Sequence, residues 1–393
     1  MPATVRNADM LALYARGVVK DFRCVFFRCS VFSKNSDIGG DVRKILRFPV
    51  IYPFFLRGKP AVSQWQILWI MISRQQQLRA VLRKIAPVVV VAGNDNLGAG
   101  SWLTHNAKKL GIPTLACQEG FYNPAQMPLI VKAKRLVYSW VSYFYKPIGA
   151  LRYFSHADFA AAWGEYDRRM AIKDGLNGER IFVIGDPRIQ KRSSPRLSEA
   201  IARALILDIP ATALPKGTFD MQALWDFRAD VLKELLKLSI SVQYRPHPLT
   251  PDNERNRIYA MISRSPDVQI DTKSNAQESI VSADICLTYP STSVTNILAA
   301  GVPLIFLKPR IQGFSRVFLD PIRDYGVGIG IESAYSIKSA IKQVLNASWQ
   351  EKYIIQSLKV AEDIVGPLDG KASERFAISI KAISEGMLQH EAK

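Results

Sequence analysis

The stretch ADICLTYPSTSVTNILAAGVPLIFL, residues 283–307, decides the fold class. It contains an apolar run at Ile285–Thr288, a polar loop, a predicted helix at Val294–Ala300 and a second apolar run at Leu304–Leu307. Short apolar runs bounded by turn residues are typical of strands that are buried on both faces of a parallel sheet. A strand, a helix and a further strand form a βαβ unit, so the sequence predicts an α/β fold.

The same alternation extends from this unit in both directions. In the second half we predict strands at Ala204–Leu207, Ser241–Tyr244 and Val268–Ile270, and helices at Met221–Leu238, Trp349–Val365 and Ser373–Met387. In the first half we predict strands at Cys24–Phe27, Pro87–Ala92, Pro113–Cys117, 161–164 and 181–185, helices at Asn7–Lys20, Leu78–Ile85 and Trp102–Leu110, and a loop at Gly93–Gly100. The pattern predicts two Rossmann-like domains that face each other across a cleft.

Length and composition agree with two domains. The chain has 393 residues, of which 48% are hydrophobic and 22% charged, and this range is typical of globular proteins. We expect an N-terminal domain over 1–188, a polar linker over 186–196, a second domain over 197–370 and a C-terminal helix over 371–393. The four cysteines form no Cys-x-x-Cys pair and the chain begins without a secretory leader, which favours the reducing cytosol.

The positive charge is concentrated in the first half. Residues 1–160 hold 22 Lys and Arg against 7 Asp and Glu, a net +15, whereas the rest holds 30 against 27, a net +3. This excess indicates a polyanionic partner: nucleic acid, an anionic membrane leaflet or an acidic substrate. Cationic and aromatic side chains alternate in Ile45–Ile72 and Leu129–Phe154, as in segments that lie at a membrane interface. Core helices are the alternative; we favour peripheral contact with the inner face of the membrane.

Two segments of the second half follow predicted strands, where α/β sheets bind ligands. Arg245-Pro246-His247-Pro248 follows the strand at Ser241–Tyr244, and its imidazole and guanidinium suit a phosphate or a nucleotide carbonyl. Ser291, Thr292 and Ser293 follow the strand at Ile285–Thr288 and open a helix, whose free N–H groups favour an anion. The alternatives are a histidine that only caps a turn and an ordinary N-cap. Together the two segments indicate a nucleotide site.

A third segment, Gln118-Glu119-Gly120, follows a predicted strand of the first half. Glu119 could remove a proton from an acceptor hydroxyl, and Asn94, Asp95 and Asn96, one strand away, could orient that acceptor. A solvated loop glutamate is the alternative. The sequence has no phosphate-binding P-loop and no His-Glu-x-x-His, and its four histidines are scattered, so we expect neither a metal nor a cofactor.

These motifs resemble bacterial surface-polysaccharide glycosyltransferases of the GT-B type. The similarity rests on Ala107–Thr114, Gln118–Gly120, Trp163-Gly164, Ile184–Arg188, Arg245–Pro248, 283–293, Ala300–Pro303 and Leu368–Arg375. The Glu-Gly, His-Pro and Ser/Thr elements resemble sialyltransferases, polysialyltransferases and transferases of keto-acid sugars, which use CMP-linked donors. Two departures stand out: Thr295 and Asn296 occupy positions where many GT-B enzymes have a carboxylate, and Gln118 replaces a second acidic residue.

The resemblance implies that Glu119 is the general base, that His247 and Pro248 bind the cytidine monophosphate, and that Ser291, Thr292 and Ser293 bind its phosphate. The leading hypothesis is therefore a metal-independent transferase that moves a sugar from a nucleotide donor to a glycan or lipid-linked acceptor, as in capsule or lipopolysaccharide assembly. The alternatives are a CDP-glycerol-type polyol-phosphate transferase, a nucleotide-sugar epimerase and a non-catalytic protein that binds polyanions or membranes; nucleic acid is the less favoured partner.

Overall fold

The computed structural model describes residues 26–28, 45–47, 76–93, 98–118, 157–173, 176–189, 199–210, 220–248, 250–263, 265–273, 276–289, 291, 293–311 and 326–386. Contacts divide the chain into two compact units, Met1–Gln190 with Asp369–Lys393, and Lys191–Leu368. Parallel sheets with connecting helices confirm the predicted α/β class. The domain boundaries given above stay a prediction.

The first unit is built on two parallel sheets. β1 (Phe26–Arg28) pairs with β2 (Ile45–Arg47), and β3 (Val90–Ala92), β4 (Thr114–Cys117), β5 (Phe159–Ala162) and β6 (Ile181–Val183) form a four-stranded sheet in that order. Helices described before the last strand of this unit are α1 (76–85), α2 (Gly98–Lys108) and α3 (Glu165–Lys173). Every residue of β4 and β5 is buried, as expected for strands covered on both faces.

The second unit is a six-stranded parallel sheet. Its strands are β7 (Arg203–Leu207), β8 (Ser241–Arg245), β9 (Val268–Ile270), β10 (Ile285–Thr288), β11 (Leu304–Leu307) and β12 (Ile329–Ile331). The order across the sheet is β12-β11-β10-β7-β8-β9, the arrangement of a Rossmann fold. Successive strands run outward from β7 on one side and from β10 on the other, so the topological switch point lies between β7 and β10.

Helices cover this sheet and bury its apolar residues. They are α4 (Met221–Lys237), α5 (Asp252–Ile262), α6 (Ala276–Ser282), α7 (Ser293–Ala300), α8 (Ile337–Val344) and α9 (Ala347–Val365). Leu224, Ile258, Leu287 and Ile305 are completely buried in one core cluster. Gly328 adopts φ +85°, and a Cβ there would lie 3.0 Å from the Leu304 carbonyl oxygen, so any other residue at this position would be strained.

The last helix, α10 (Ala372–Ser384), belongs to the first unit. Arg375 Nε donates to the Ile184 carbonyl at 2.8 Å, and its Nη1 pairs with Asp369 at 2.8 Å. Gly185 has φ +91°, and a Cβ there would lie 3.2 Å from the Cβ of Ala372. The Leu368–Arg375 segment that the sequence singles out therefore fastens α10 to the chain that follows β6.

Most predicted elements are confirmed within one to three residues, and three differences have physical causes. Residues 98–100, predicted as loop, are the first turn of α2. Trp163, predicted as strand, donates its N–H to the Gln118 side chain after β5 has ended. The Ile184 N–H still bonds to Ala162 of β5, whereas the Gly185 N–H bonds to Trp163 beyond β5; Gly185 has a positive φ, and β6 ends at Val183. The helix at 7–20 lies outside the described residues.

Candidate functional site

The carboxyl ends of β7, β8 and β10 bring the candidate donor residues to one edge of the second sheet. All the pairings are parallel, with Leu207 opposite Arg245 on one side and opposite Thr288 on the other. The chain leaving β7 continues as Asp208, that leaving β8 as Pro246 and His247, and that leaving β10 as Tyr289. His247 and Ser291 thus follow strands that flank β7, next to the switch point, where α/β sheets bind ligands.

The His247 segment forms a tight turn at the end of β8. The Thr250 N–H donates to the His247 carbonyl at 2.9 Å, and the Asp208 N–H donates to the Arg245 carbonyl at 3.0 Å. His247 is half-buried and Pro248 is exposed. Two prolines restrict the backbone around the imidazole, so the turn presents His247 from a fixed backbone.

The Arg245 side chain is held at the neighbouring strand end. Its Nη1 donates to Asp271 Oδ2 at 2.7 Å and to the Lys273 carbonyl at 3.0 Å, both beyond β9. Burial raises the pKa of Asp271, but hydrogen bonds that include those from Arg245 and the Lys273 N–H outweigh burial and lower it overall. Arg245 therefore links β8 to the chain after β9, and its binding to a nucleotide stays a prediction.

Ser291 caps α7. The Ser293 N–H donates to Ser291 Oγ at 3.3 Å, and the Val294 N–H donates to the Ser291 carbonyl at 3.1 Å. These bonds satisfy part of the first turn, as the N-cap alternative expects, and a phosphate could still meet its remaining N–H groups. Thr292 lies outside the described residues. The phosphate roles of Ser291, Thr292 and Ser293 stay predictions.

A buried charge cluster lies beneath these strand ends, and the sequence analysis missed it. We call Asp208, Arg228, Tyr244, Glu254 and Tyr289 the arginine cluster. Arg228 Nη2 donates to Asp208 Oδ1 at 2.9 Å and to the Ile209 carbonyl at 2.7 Å, while its Nη1 lies 3.3 Å from Glu254 Oε1. Tyr244 donates its hydroxyl to Asp208 Oδ2 at 2.6 Å. Each side chain is less than a tenth exposed.

Burial dominates the electrostatics of this cluster. It raises the pKa of Asp208, although Arg228 and the Tyr244 hydroxyl oppose that shift. It raises the pKa values of Tyr244 and Tyr289 as well, so both phenols stay protonated. A sequence signal existed: Arg228 falls on the buried stripe of α4, with Leu224, Trp225, Val231 and Leu232.

In the first unit, Gln118 is anchored at the end of β4. Its Nε2 donates to Asp167 Oδ2 at 2.7 Å, its Oε1 accepts the Trp163 N–H at 2.6 Å, and its own N–H donates to the Ala161 carbonyl at 3.0 Å. Gln118 and Asp167 are both buried. Glu119, Asn94, Asp95 and Asn96 lie outside the described residues, so their catalytic and acceptor roles stay predictions.

Among the described residues, no three His, Cys, Asp or Glu side chains are grouped as metal ligands would be. Nor is any of their helices both long and apolar enough to span a bilayer. Of the two basic, aromatic segments, only residues 45–47 are described, and they form β2. Contact with a membrane stays a prediction.

Comparison with solved structures identifies the fold. The calicheamicin glycosyltransferase CalG4 aligns at a TM-score of 0.57 with 13% identity, over 98% of this chain and 95% of that one. Os79 from O. sativa, in complex with U2F and trichothecene, aligns at 0.58 with 13% identity over 95% and 96%. The UDP-GlcNAc 2-epimerase from Methanocaldococcus jannaschii aligns at 0.52 with 14% identity over 87% and 86%.

Sequence comparison adds no nearer relative, because neither a family model nor a curated protein matches the chain. At these identities the structural likeness concerns the fold alone. The switch-point order of the second sheet and the parallel four-stranded sheet of the first unit agree with it. The chain has the GT-B fold of two Rossmann-like domains, as the sequence predicted.

Proposed function

We propose that this protein is a glycosyltransferase that transfers a sugar from a nucleotide-linked donor. The observation that carries the proposal is the switch-point edge of the second sheet, where the His247 turn and the first turn of α7 follow strands on both sides of β7. An imidazole and free helix N–H groups suit a nucleotide phosphate. Glycosyltransferases among the proteins of like fold support the same reading.

The donor that we propose is CMP-linked, on the resemblance of the Glu-Gly, His-Pro and Ser/Thr elements to sialyltransferases. UDP-linked sugars are the competing donors, because UDP is named in solved structures of like fold. Ligand that binds the native state raises the melting temperature, so a thermal-shift series with CMP, CDP, UDP and GDP separates them. A shift with CMP alone supports our choice, a shift with UDP alone transfers it to UDP, and no shift with any of the four overturns the proposal.

Glu119 is the proposed general base, acting on the acceptor hydroxyl that attacks the donor. Glu119→Gln should lower the transfer rate by roughly 10²–10⁴-fold and leave nucleotide affinity unchanged, since a general base contributes about that factor. Glu165→Gln, an exposed carboxylate of α3, is the matched control. An equal loss of affinity and rate in the Glu119 variant would assign that residue a structural role instead.

The acceptor that we propose is a glycan or a lipid-linked glycan at the inner face of the membrane. The support is the net +15 of residues 1–160 and the cationic, aromatic segments within them. Cosedimentation with vesicles of anionic lipid should be strong at low salt and weak at high salt. Equal recovery with neutral and anionic vesicles would contradict this part of the proposal.

An epimerase is the second candidate, since UDP-GlcNAc 2-epimerases share the fold. The two activities differ in their need for an acceptor. Incubation with UDP-GlcNAc alone, followed by NMR of the sugar ring, detects a new epimer only if the protein is an epimerase. A new sugar stereoisomer in that sample would replace our proposal.

A further inference from the structure

The arginine cluster joins elements that the candidate donor site needs in a fixed arrangement. Asp208 follows β7, Tyr244 lies in β8 and Tyr289 follows β10. Glu254 lies in the first turn of α5, the helix that begins just after the His247 turn. The cluster thus contacts the three strand ends at the switch point and the helix after one of them.

Arg228 is the centre of the cluster, because its guanidinium bonds both the chain after β7 and the first turn of α5. Nη2 bonds the Asp208 carboxylate and the Ile209 carbonyl, at 2.9 and 2.7 Å, and Nη1 lies 3.3 Å from the Glu254 carboxylate. The side chain is 1% exposed. A planar fork of five N–H donors allows such contacts, whereas a single ammonium group cannot reproduce their geometry.

A buried ion pair of this kind is poor evidence for stability, because the cost of desolvating the charges offsets their attraction. Well-packed apolar residues could fill the same volume without that cost. The cluster does fix geometry: Tyr244 bonds the second oxygen of Asp208 at 2.6 Å, and the Asp208 N–H bonds the Arg245 carbonyl at 3.0 Å. The backbone that leads into the His247 turn is thereby held to the end of β7.

We infer that Arg228 is a positioning residue of the donor site, which holds the His247 turn and the first turn of α7 in the arrangement that binds the nucleotide phosphate. This inference rests on the proposed function. Arg228 itself is buried below the strand ends and acts through Asp208, Ile209 and Glu254. Tyr289 lies on the same edge of the sheet, since it is buried directly after β10 and stands two residues before Ser291.

Arg257 provides a matched control for Arg228, because both side chains contact Trp225. Arg228 and Arg257 both stack on its ring, with guanidinium carbons 4.5 and 4.4 Å from the ring centroid. Arg257 is exposed and bonds Gln222, away from the strand ends. Arg257→Met therefore removes a similar stacking contact on the same helix–helix interface, while it leaves the strand ends untouched.

The test compares Arg228→Lys, Tyr244→Phe and Arg257→Met by CMP and UDP titration calorimetry and by amide hydrogen exchange. Arg228→Lys should weaken nucleotide binding about tenfold or more, as the loss of hydrogen bonds to charged groups implies. It should also speed amide exchange at Thr250 and Val294, whose N–H groups donate to the carbonyls of His247 and Ser291. Exchange at Cys286, whose N–H donates to the Pro303 carbonyl, should change less. Tyr244→Phe, which keeps the ring, should give a smaller change in the same direction, and Arg257→Met should match the wild type.

Each result decides the inference. If Arg228→Lys speeds amide exchange equally at Thr250, Val294 and Cys286, Arg228 only stabilises the unit. If local exchange becomes faster but nucleotide affinity is unchanged, binding does not require a fixed His247 turn. Either result overturns the inference. If the wild type binds no nucleotide, the proposed function fails separately, and local exchange in the Tyr244→Phe and Arg228→Lys variants still shows whether Arg228 holds the turn. Should Arg228→Lys fail to fold, the Tyr244→Phe comparison carries the test.

Discussion

Changing Gln118 to glutamate would place a second carboxylate beside Asp167. In the native protein, Gln118 Nε2 donates to Asp167 Oδ2 at 2.7 Å, and both side chains are almost completely buried. The variant loses the donor and leaves two carboxyl groups in contact, so one of them must hold a proton. Oxygen atoms at this distance, away from water, cannot both carry a charge.

The size of the effect follows from that proton. A carboxyl group of ordinary pKa about 4.3 costs about 1.4 kcal/mol to keep protonated for each pH unit above that pKa, which amounts to roughly 4 kcal/mol at pH 7. A short hydrogen bond between the acid and the carboxylate returns part of this cost. We expect the free energy of unfolding of the first unit to fall by about 2–4 kcal/mol at pH 7, equivalent to a decrease of roughly 5–15 °C in melting temperature.

The penalty should depend on pH in a defined direction. The new carboxyl pair has a raised folded-state pKa, so it binds one more proton in the folded protein than in the unfolded chain between about pH 4.3 and that raised pKa. Destabilisation is therefore small near pH 4.5 and grows by up to about 1.4 kcal/mol per unit as the pH rises. Urea unfolding followed by circular dichroism at several pH values measures it.

Two further variants make this test decisive. Gln118→Glu combined with Asp167→Asn restores a donor and an acceptor at this contact, and it should recover most of the lost stability. Gln76→Glu, an exposed glutamine of α1, is the control for the charge change itself and should leave stability within about 0.5 kcal/mol. A penalty below about 1 kcal/mol, no variation with pH, or no recovery in the double variant would refute the reasoning.

Two other outcomes can be measured in the same way. Gly328→Ala should destabilise the second unit by about 1–3 kcal/mol, because φ is +85° and the new Cβ would meet the Leu304 carbonyl at 3.0 Å. Gly330→Ala in β12, where the atom nearest to the new Cβ would lie at 3.6 Å, is the control. Equal losses of stability in the two variants would contradict the strain argument. Asp271→Asn should destabilise the protein near neutral pH, because folding lowers the Asp271 pKa and Asp271 pairs with Arg245. The difference from the native protein should shrink as the pH falls below about 3.8 and be lost below the lowered folded-state pKa; a difference that does not change with pH would count against it.

The central strands of the second unit were predictable because burial on both faces demands continuous apolar runs, and Ile285–Thr288 and Leu304–Leu307 have the predicted bounds. The edge strand Val268–Ile270 also has its predicted bounds, although Gln269 is exposed. β12 escaped prediction because it is only three residues long, with a glycine at its centre. α5 escaped because its sequence is strongly polar, with Ile258 and Ile262 its only buried apolar residues.

The candidate site was predictable only for residues that stand out as motifs. His247 and Ser291 follow recognisable strands, whereas Arg228 contributes to the same edge from a helix 19 residues before His247. A charged residue on an amphipathic helix ordinarily faces water, so the place of Arg228 on the apolar stripe indicates burial but does not identify its partners. The partners of Gln118 are similarly distant, because Asp167 lies 49 residues further along the chain. Side-chain pairing across such separations needs the folded chain.

The return of α10 to the first unit has a consequence for how the protein is made. A ribosome must synthesise residues 191–368 before it reaches Arg375, the residue that bonds the Ile184 carbonyl. The second unit is continuous in sequence and can complete its core while the first still lacks a helix. Domains that fold as units during synthesis normally finish in order from the N-terminus. In this protein the N-terminal unit can complete its fold only after the second unit has been synthesised.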